Sequence, residues 1–353
     1  MKSKLINFEY FRLNDRESYE KITSDIQSAL SAGYTSIIGL LLADGFLYKN
    51  NSVWNKVHND IVDYSRSLGV DIKLVSGMSH NNEVNCKTIP FNFYLHTVWM
   101  SYKNKQLGSY YSNTGKFLFL GGVPDRDNRI GLLYTLYKQS LLKNAEWSFF
   151  PPWTDEQKEN SLKYFSSIDE YNNFIKFAER KVDDLYDSSK AYGTGDVPIA
   201  TSWTNDSAWI DPGVFHKTSL SLISEGHPGD ENNNSEFATE KIYRVFVQGH
   251  PFLLAANPSI FNHLKELGFK TFENYFPNKE YATVYPEEKR LEYLIENLKY
   301  FLDNDIDFTR DVEFNRNHFW KLAEENAKIL EILDADTSDI DFYFNRKGFG
   351  HLL

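Results

Sequence analysis

Two short stretches carry carboxylate, hydroxyl and basic side chains in patterns suited to holding an anionic ligand. One begins Ser219-Leu-Ser-Leu-Ile-Ser-Glu225-Gly-His, crosses a polar loop of Asn and Gly, and resumes as Phe237-Ala-Thr239-Glu240-Lys241-Ile242. A strand over 220–224 delivers Glu225 to its C-terminal edge, where open α/β sheets bind ligands. Thr239 is placed to cap a helix whose first turn carries Glu240 and Lys241. A helix N-terminus offers unpaired N–H groups and the positive end of its dipole, which together attract anions. Lys241 adds a full charge suited to a pyrophosphate. Glu240 can accept hydrogen bonds from ribose hydroxyls or face positive charge developing on a sugar. The plain alternative is an ordinary capped helix with a solvated Glu-Lys pair.

The other stretch is Phe117-Leu-Phe-Leu-Gly-Gly-Val-Pro-Asp-Arg126-Asp-Asn-Arg129-Ile130. Two glycines end an apolar strand, and a loop holding Arg126 and Arg129 runs into a helix start. Guanidinium forks in that position are suited to clamp phosphate oxygens. Asp125 and Asp127 also form an Asp-x-Asp pair of the kind that holds metal ions. The same spacing recurs at 303–305, 305–307, 334–336 and 339–341 in this acidic chain. It therefore discriminates little, and no metal is expected.

The segments around these residues alternate between strand and helix. Ile37–Leu47 is an apolar strand and its exit loop, carrying Asp44 before a glycine turn. A helix follows over 52–68, stopped by Gly69, then a strand over 70–75. Ile89–Met100 reads as a further strand or a buried helix. Strand, helix and strand on short connections predict a parallel α/β unit. A polar stretch over 101–115 marks a boundary. A second unit opens with a strand at 117–122, a loop to Arg129, a helix over 130–142 and a strand over 147–150. Residues 151–211 read as an insertion, ending in a long loop. The rhythm then returns as a strand at 220–224, a helix at 239–248, a strand at 251–255 and a helix at 258–267. Helices near 287–302 and 315–333 precede an aromatic tail. The expected domains are 1–110 on the acceptor side, with 315–353 packing back on it, and 111–314 on the nucleotide side.

Bulk properties narrow the function classes. The 353 residues carry 38 Lys and Arg against 49 Asp and Glu, a formal net charge of −11. Tight sequence-independent binding to nucleic acid rests on a basic surface, which this balance disfavours. One cysteine, Cys86, allows no intramolecular disulfide framework and fits a reducing compartment. The first ten residues lack an apolar core of signal-peptide length, and the longest apolar run falls short of about 20 residues needed to span a bilayer. A cytoplasmic protein without a membrane span is the expectation.

The string Thr239-Glu240-Lys241-Ile242, followed by Gly249-His250-Pro251-Phe252-Leu253-Leu254 and by Leu264 to Phe272, resembles the donor-binding half of viral and bacterial glycosyltransferases related to the α1,3-fucosyltransferases. The Gly-Gly-x-Pro-x-Arg-x-x-Arg loop is similar to the first unit of that half in phage-encoded members. The resemblance spans about 116–304 and is broken by 151–211. It implies two Rossmann-like domains facing a cleft, the GT-B arrangement, with C-terminal helices crossing back. It implies that Lys241 with Arg126 or Arg129 holds the donor diphosphate, that Glu240 contacts ribose or sugar, and that Glu225 and Thr239 lie beside the nucleotide. The activity implied is metal-independent transfer from a nucleotide-sugar, used as a substrate with no cofactor, to a glycan or other hydroxyl acceptor. If the transfer inverts, a carboxylate or His must deprotonate the acceptor. Asp44 is the residue chosen for that role, ahead of His80 and His96. Two further readings stay open: a DNA-modifying glycosyltransferase acting on hydroxymethylated bases, and a non-catalytic nucleotide-sugar-binding or scaffold protein.

Overall fold

The computed structural model describes residues 3–7, 15–41, 52–76, 87–104, 107, 114–121, 127–149, 159, 161–185, 212–225, 238–284 and 287–332. The chain divides into two units, Met1–Met100 with Lys321–Leu353, and Ser101–Trp320. Both are α/β with parallel sheets.

The first unit holds strands β1 (Ser3–Asn7), β2 (Ser36–Leu41), β3 (Asp71–Ser76) and β4 (Lys87–Pro90) in the order β1-β2-β3-β4, every pair parallel. Helices α1 (Asp15–Ser31) and α2 (Ser52–Ser67) make the first two crossovers. Along α1, Ile22, Ile26 and Ala29 recur at helical spacing and are buried. They pack with Ile6, Ile37, Ile72 and Leu74 from one sheet face and with Ile61 and Val62 of α2. Successive right-handed crossovers in one direction put both helices on that face. Consistently, the two helices touch through Gln27 Nε2, which donates to the Tyr64 hydroxyl at 2.6 Å. Truncating a core residue such as Ile26 to Ala costs about 2–5 kcal/mol.

The run at 89–100 resolves into both of its readings. β4 ends at Pro90, Asn92 caps the next helix by accepting from the Leu95 N–H at 2.9 Å, and α3 occupies Phe93–Tyr102. Within this unit Asn326 grips the Asn92 backbone. Its Oδ1 accepts from the Asn92 N–H at 2.8 Å and its Nδ2 donates to the Asn92 carbonyl at 3.0 Å.

The second unit holds β5 (Phe117–Leu120), β6 (Ala145–Ser148), β7 (Leu220–Ser224) and β8 (Phe252–Ala255), all parallel, in the order β6-β5-β7-β8. Its helices are α4 (Asp127–Lys138), α5 (Ile168–Leu185), the one-turn α6 (Pro212–Phe215), α7 (Glu240–Gln248), α8 (Pro258–Glu266), α9 (Glu287–Asp303) and α10 (Thr309–Ile332), the last running on past Trp320. β5 and β8 are apolar throughout and β7 is buried along its whole length, as strands covered on both sides require, while β6 at one edge carries Glu146. Gly249 at φ 64 closes α7, with its N–H on the Phe246 and Val245 carbonyls. Asn257 caps α8 ahead of Pro258. α4 begins three residues earlier than expected, at Asp127, so Arg129 stands in a helical turn and not in a loop. It also stops earlier, because Ser140 adopts a left-handed conformation and a 3₁₀ turn at Leu141–Asn144 follows. Of the insertion at 151–211, the described part contains α5 and a 3₁₀ turn at Leu162–Tyr164.

No helix among the described residues is long and apolar enough to cross a membrane.

Candidate functional site

The strand order of the second unit creates one topological switch point. From β5 the chain crosses to β6 on one side; β7 and then β8 are added on the other. The loops leaving β5 and β7 therefore part in opposite directions, and open α/β sheets bind ligands in the crevice this leaves at their carboxyl ends. Glu225 follows β7 directly, and Thr239 starts the helix after it. Arg129 lies in the first turn of α4, the helix after β5.

Glu225 is fully buried, its backbone N–H tied to the Ala255 carbonyl of the neighbouring strand at 3.1 Å. Its Oε1 accepts from the Thr239 N–H at 3.1 Å and the Thr239 hydroxyl at 2.9 Å; its Oε2 accepts from the same hydroxyl at 2.7 Å and from Lys241 Nζ at 3.4 Å. The Thr239 oxygen in turn accepts from the Lys241 N–H and from Lys241 Nζ, both at 3.3 Å. Thr239 is thus the N-cap of α7 in extended conformation, as expected. The cap consumes much of the helix's own anion-binding capacity. The N–H groups of Thr239 and Lys241 are occupied from within the protein, so the positive character of the site rests on side chains and the helix dipole more than on bare N–H groups. Glu225 itself is turned inward, its two carboxylate oxygens on Thr239 and Lys241.

Glu240 is partly exposed at the start of α7. Burial alone would raise its carboxyl. The charges of Lys241 and Arg244, the backbone N–H of Glu240 and the charge of Arg129 outweigh that and hold it below the ordinary carboxylate range, so it is ionised at neutral pH. Arg244, one turn along, brings Nη2 to 3.8 Å from Glu240 Oε1. Sequence reasoning passed over Arg244; its position four residues after Glu240 on a helix was the available signal. The action of Arg129 on Glu240 brings the two stretches together at one sheet edge. Between β5, β7 and α7 lies a small cleft of about 30 Å³ whose wall includes Leu118, Leu120, Phe215, Ile223, Lys241 and Arg244.

Asp44, Arg126 and His80 lie outside the described residues. His96 is a buried residue packed between Phe91 and Trp99, with ring centroids 5.3 and 5.4 Å away. His250 is a core residue too. Its Nε2 donates to the Thr218 carbonyl at 2.9 Å, which leaves Nδ1 to accept from the Ser221 hydroxyl at 2.8 Å. No group of three or more His, Cys, Asp or Glu among the described residues could hold a metal ion.

No protein-family model matches the chain, and no curated protein or solved structure matches it either.

Proposed function

We propose that the second unit binds a nucleoside-diphosphate sugar in the β5–β7 crevice, and that the chain transfers the sugar to a hydroxyl acceptor. One observation carries this reading. Glu240, ionised and partly exposed at the switch point of a parallel sheet, has Arg244 Nη2 at 3.8 Å and feels the charges of Lys241 beside it and of Arg129 from the helix after β5. Lys241 keeps one N–H bond unused by Glu225 and Thr239, and the α7 dipole adds positive character beside it. That character suits a diphosphate, whose charge grows on the leaving group as the glycosidic bond breaks. A carboxylate kept ionised amid those cations is suited to ribose hydroxyls, because it can only accept hydrogen bonds.

The resemblance of the Thr-Glu-Lys and Arg-x-x-Arg stretches to α1,3-fucosyltransferase relatives supports the same reading, and extends it to two halves of a GT-B enzyme working without a metal. Asp44 in the first unit is then the proposed base. A thermal-shift screen against GDP, UDP, CDP, ADP and dTDP, with and without EDTA, tests the reading. A ligand present at about 100 times its Kd stabilises the native state by about 2.7 kcal/mol. One nucleotide is expected to raise Tm, equally in EDTA. No response to any of the five contradicts the reading, and a response abolished by EDTA contradicts its metal-independence.

A further inference from the structure

We infer that Glu225 is a positioning residue, which holds the Lys241 ammonium at the mouth of the β5–β7 crevice through an ion pair shared with the Thr239 hydroxyl. This rests on the diphosphate-binding reading above and goes beyond it, because it assigns the work of a residue that cannot reach a ligand. A carboxylate with no exposed surface costs free energy unless donors surround it. Glu225 has them: the Thr239 N–H, the Thr239 hydroxyl and Lys241 Nζ. All three donors belong to the first residues of α7, so one buried group fixes both where the helix starts and where its first cation stands.

Lys241 has four rotatable side-chain bonds and, untethered, would spread its charge over a wide arc. Here Nζ is drawn back over its own N-cap, bonded to Thr239 Oγ1 at 3.3 Å and to Glu225 Oε2 at 3.4 Å, while about a fifth of the side chain stays exposed (21%). Both contacts are long for charge-assisted bonds. The ammonium is therefore held in place with a donor still to spare, since it carries three N–H bonds and two are used. Glu225 is supplied by β7 and Lys241 by α7, so the pair also ties the helix start to the sheet edge where the crevice opens. A cation ordered beforehand loses less entropy when the ligand arrives.

The test is a mutant cycle on the full chain with two readouts. Affinity for inorganic pyrophosphate is measured by calorimetry for wild type, Glu225→Gln, Lys241→Ala and the double variant. Acetylation of Lys241 by acetic anhydride is followed by peptide mass spectrometry in wild type and Glu225→Gln. Glu225→Gln keeps an oxygen for the Thr239 hydroxyl and removes the charge. It is expected to weaken pyrophosphate binding about fivefold to tenfold, to leave the double variant no weaker than Lys241→Ala, and to speed acetylation of Lys241 severalfold. If Glu225→Gln does not fold, Thr239→Val removes the shared hydroxyl and is read in the same way. Unchanged acetylation, or an equal loss of affinity in the Lys241→Ala background, overturns the positioning role while wild-type binding of pyrophosphate keeps the anion site. Tighter binding by Glu225→Gln overturns it too, since Glu225 would then only repel the anion. A wild type that binds neither pyrophosphate nor any nucleoside diphosphate removes the anion-site reading itself, and the role of Glu225 with it.

Discussion

His250 makes the stability of the second unit depend on pH in a direction the structure fixes. The ring is buried, and burial pushes its pKa from 6.5 down to about 4; the Thr218 carbonyl pulls upward and the nearby His216 adds to the depression. Between those two values the unfolded chain binds a proton that the folded protein refuses. Stability is therefore complete above about pH 6.5, falls as the pH drops, and levels off near pH 4. A shift of about 2.5 units corresponds to about 3 kcal/mol in full, of which about 2 kcal/mol is lost by pH 5. His250→Asn removes the titrating ring. At neutral pH it costs about 1–3 kcal/mol for the bonds to Ser221 and Thr218. Its stability is then expected to fall less on acidification than that of the wild type. Urea unfolding of both proteins at about pH 7.5 and about pH 5 gives the comparison, and the wild type is expected to lose about 2 kcal/mol more than the variant. Equal losses in the two proteins, or an NMR titration of the His250 ring with a midpoint near the ordinary value, would refute the reasoning.

Lys241→Ala is expected to weaken nucleoside-diphosphate binding about 10- to 100-fold with little change in Tm; lost Tm with intact affinity in a calorimetric titration would refute the assignment. Asp44→Asn should leave that affinity unchanged and remove sugar transfer, and unimpaired transfer in a product assay would show that another group is the base. Gly268 adopts φ +91, and a Cβ there would lie 2.7 Å from His318 Nε2, which is bonded to the Leu267 carbonyl at 2.6 Å. Gly268→Ala is therefore expected to destabilise by about 1–3 kcal/mol, read as a lowered urea midpoint; an unchanged midpoint would show that the turn relaxes freely.

Much of the second unit was legible because its signals are local. Glycine stops, a Thr cap and short apolar runs separated by helical periodicity mark β7, α7, β8 and α8, and the structure places these within a residue or two. Helix boundaries drifted where one residue decides them. Ser140 ends α4 by taking a left-handed conformation that few non-glycine residues adopt, and nothing in its neighbours announces it. β1 and α1 were not expected: Ser-Lys-Leu-Ile-Asn has too few apolar residues to announce a strand, and without it the helical stripe of Ile22, Ile26 and Ala29 has no sheet to face. At the site, residue types and chain order pointed to Glu225, Thr239, Glu240, Lys241 and Arg129. Their division of labour was beyond the sequence. Whether Glu225 faces a ligand or the protein depends on strand parity and on α7 starting directly against the β7 edge, which only the assembled sheet determines. The same holds for Arg244, whose spacing from Glu240 is common on helices and becomes informative only once the cleft beside it is seen.

The most direct measurement is an experimental structure of the full chain with the nucleoside diphosphate that raises its Tm most. The diphosphate is expected in the β5–β7 crevice, within hydrogen-bond reach of Lys241 Nζ and the Arg129 guanidinium, with the Glu240 carboxylate on a hydroxyl of the ligand. A nucleotide bound elsewhere, with the crevice holding only water, would contradict that expectation.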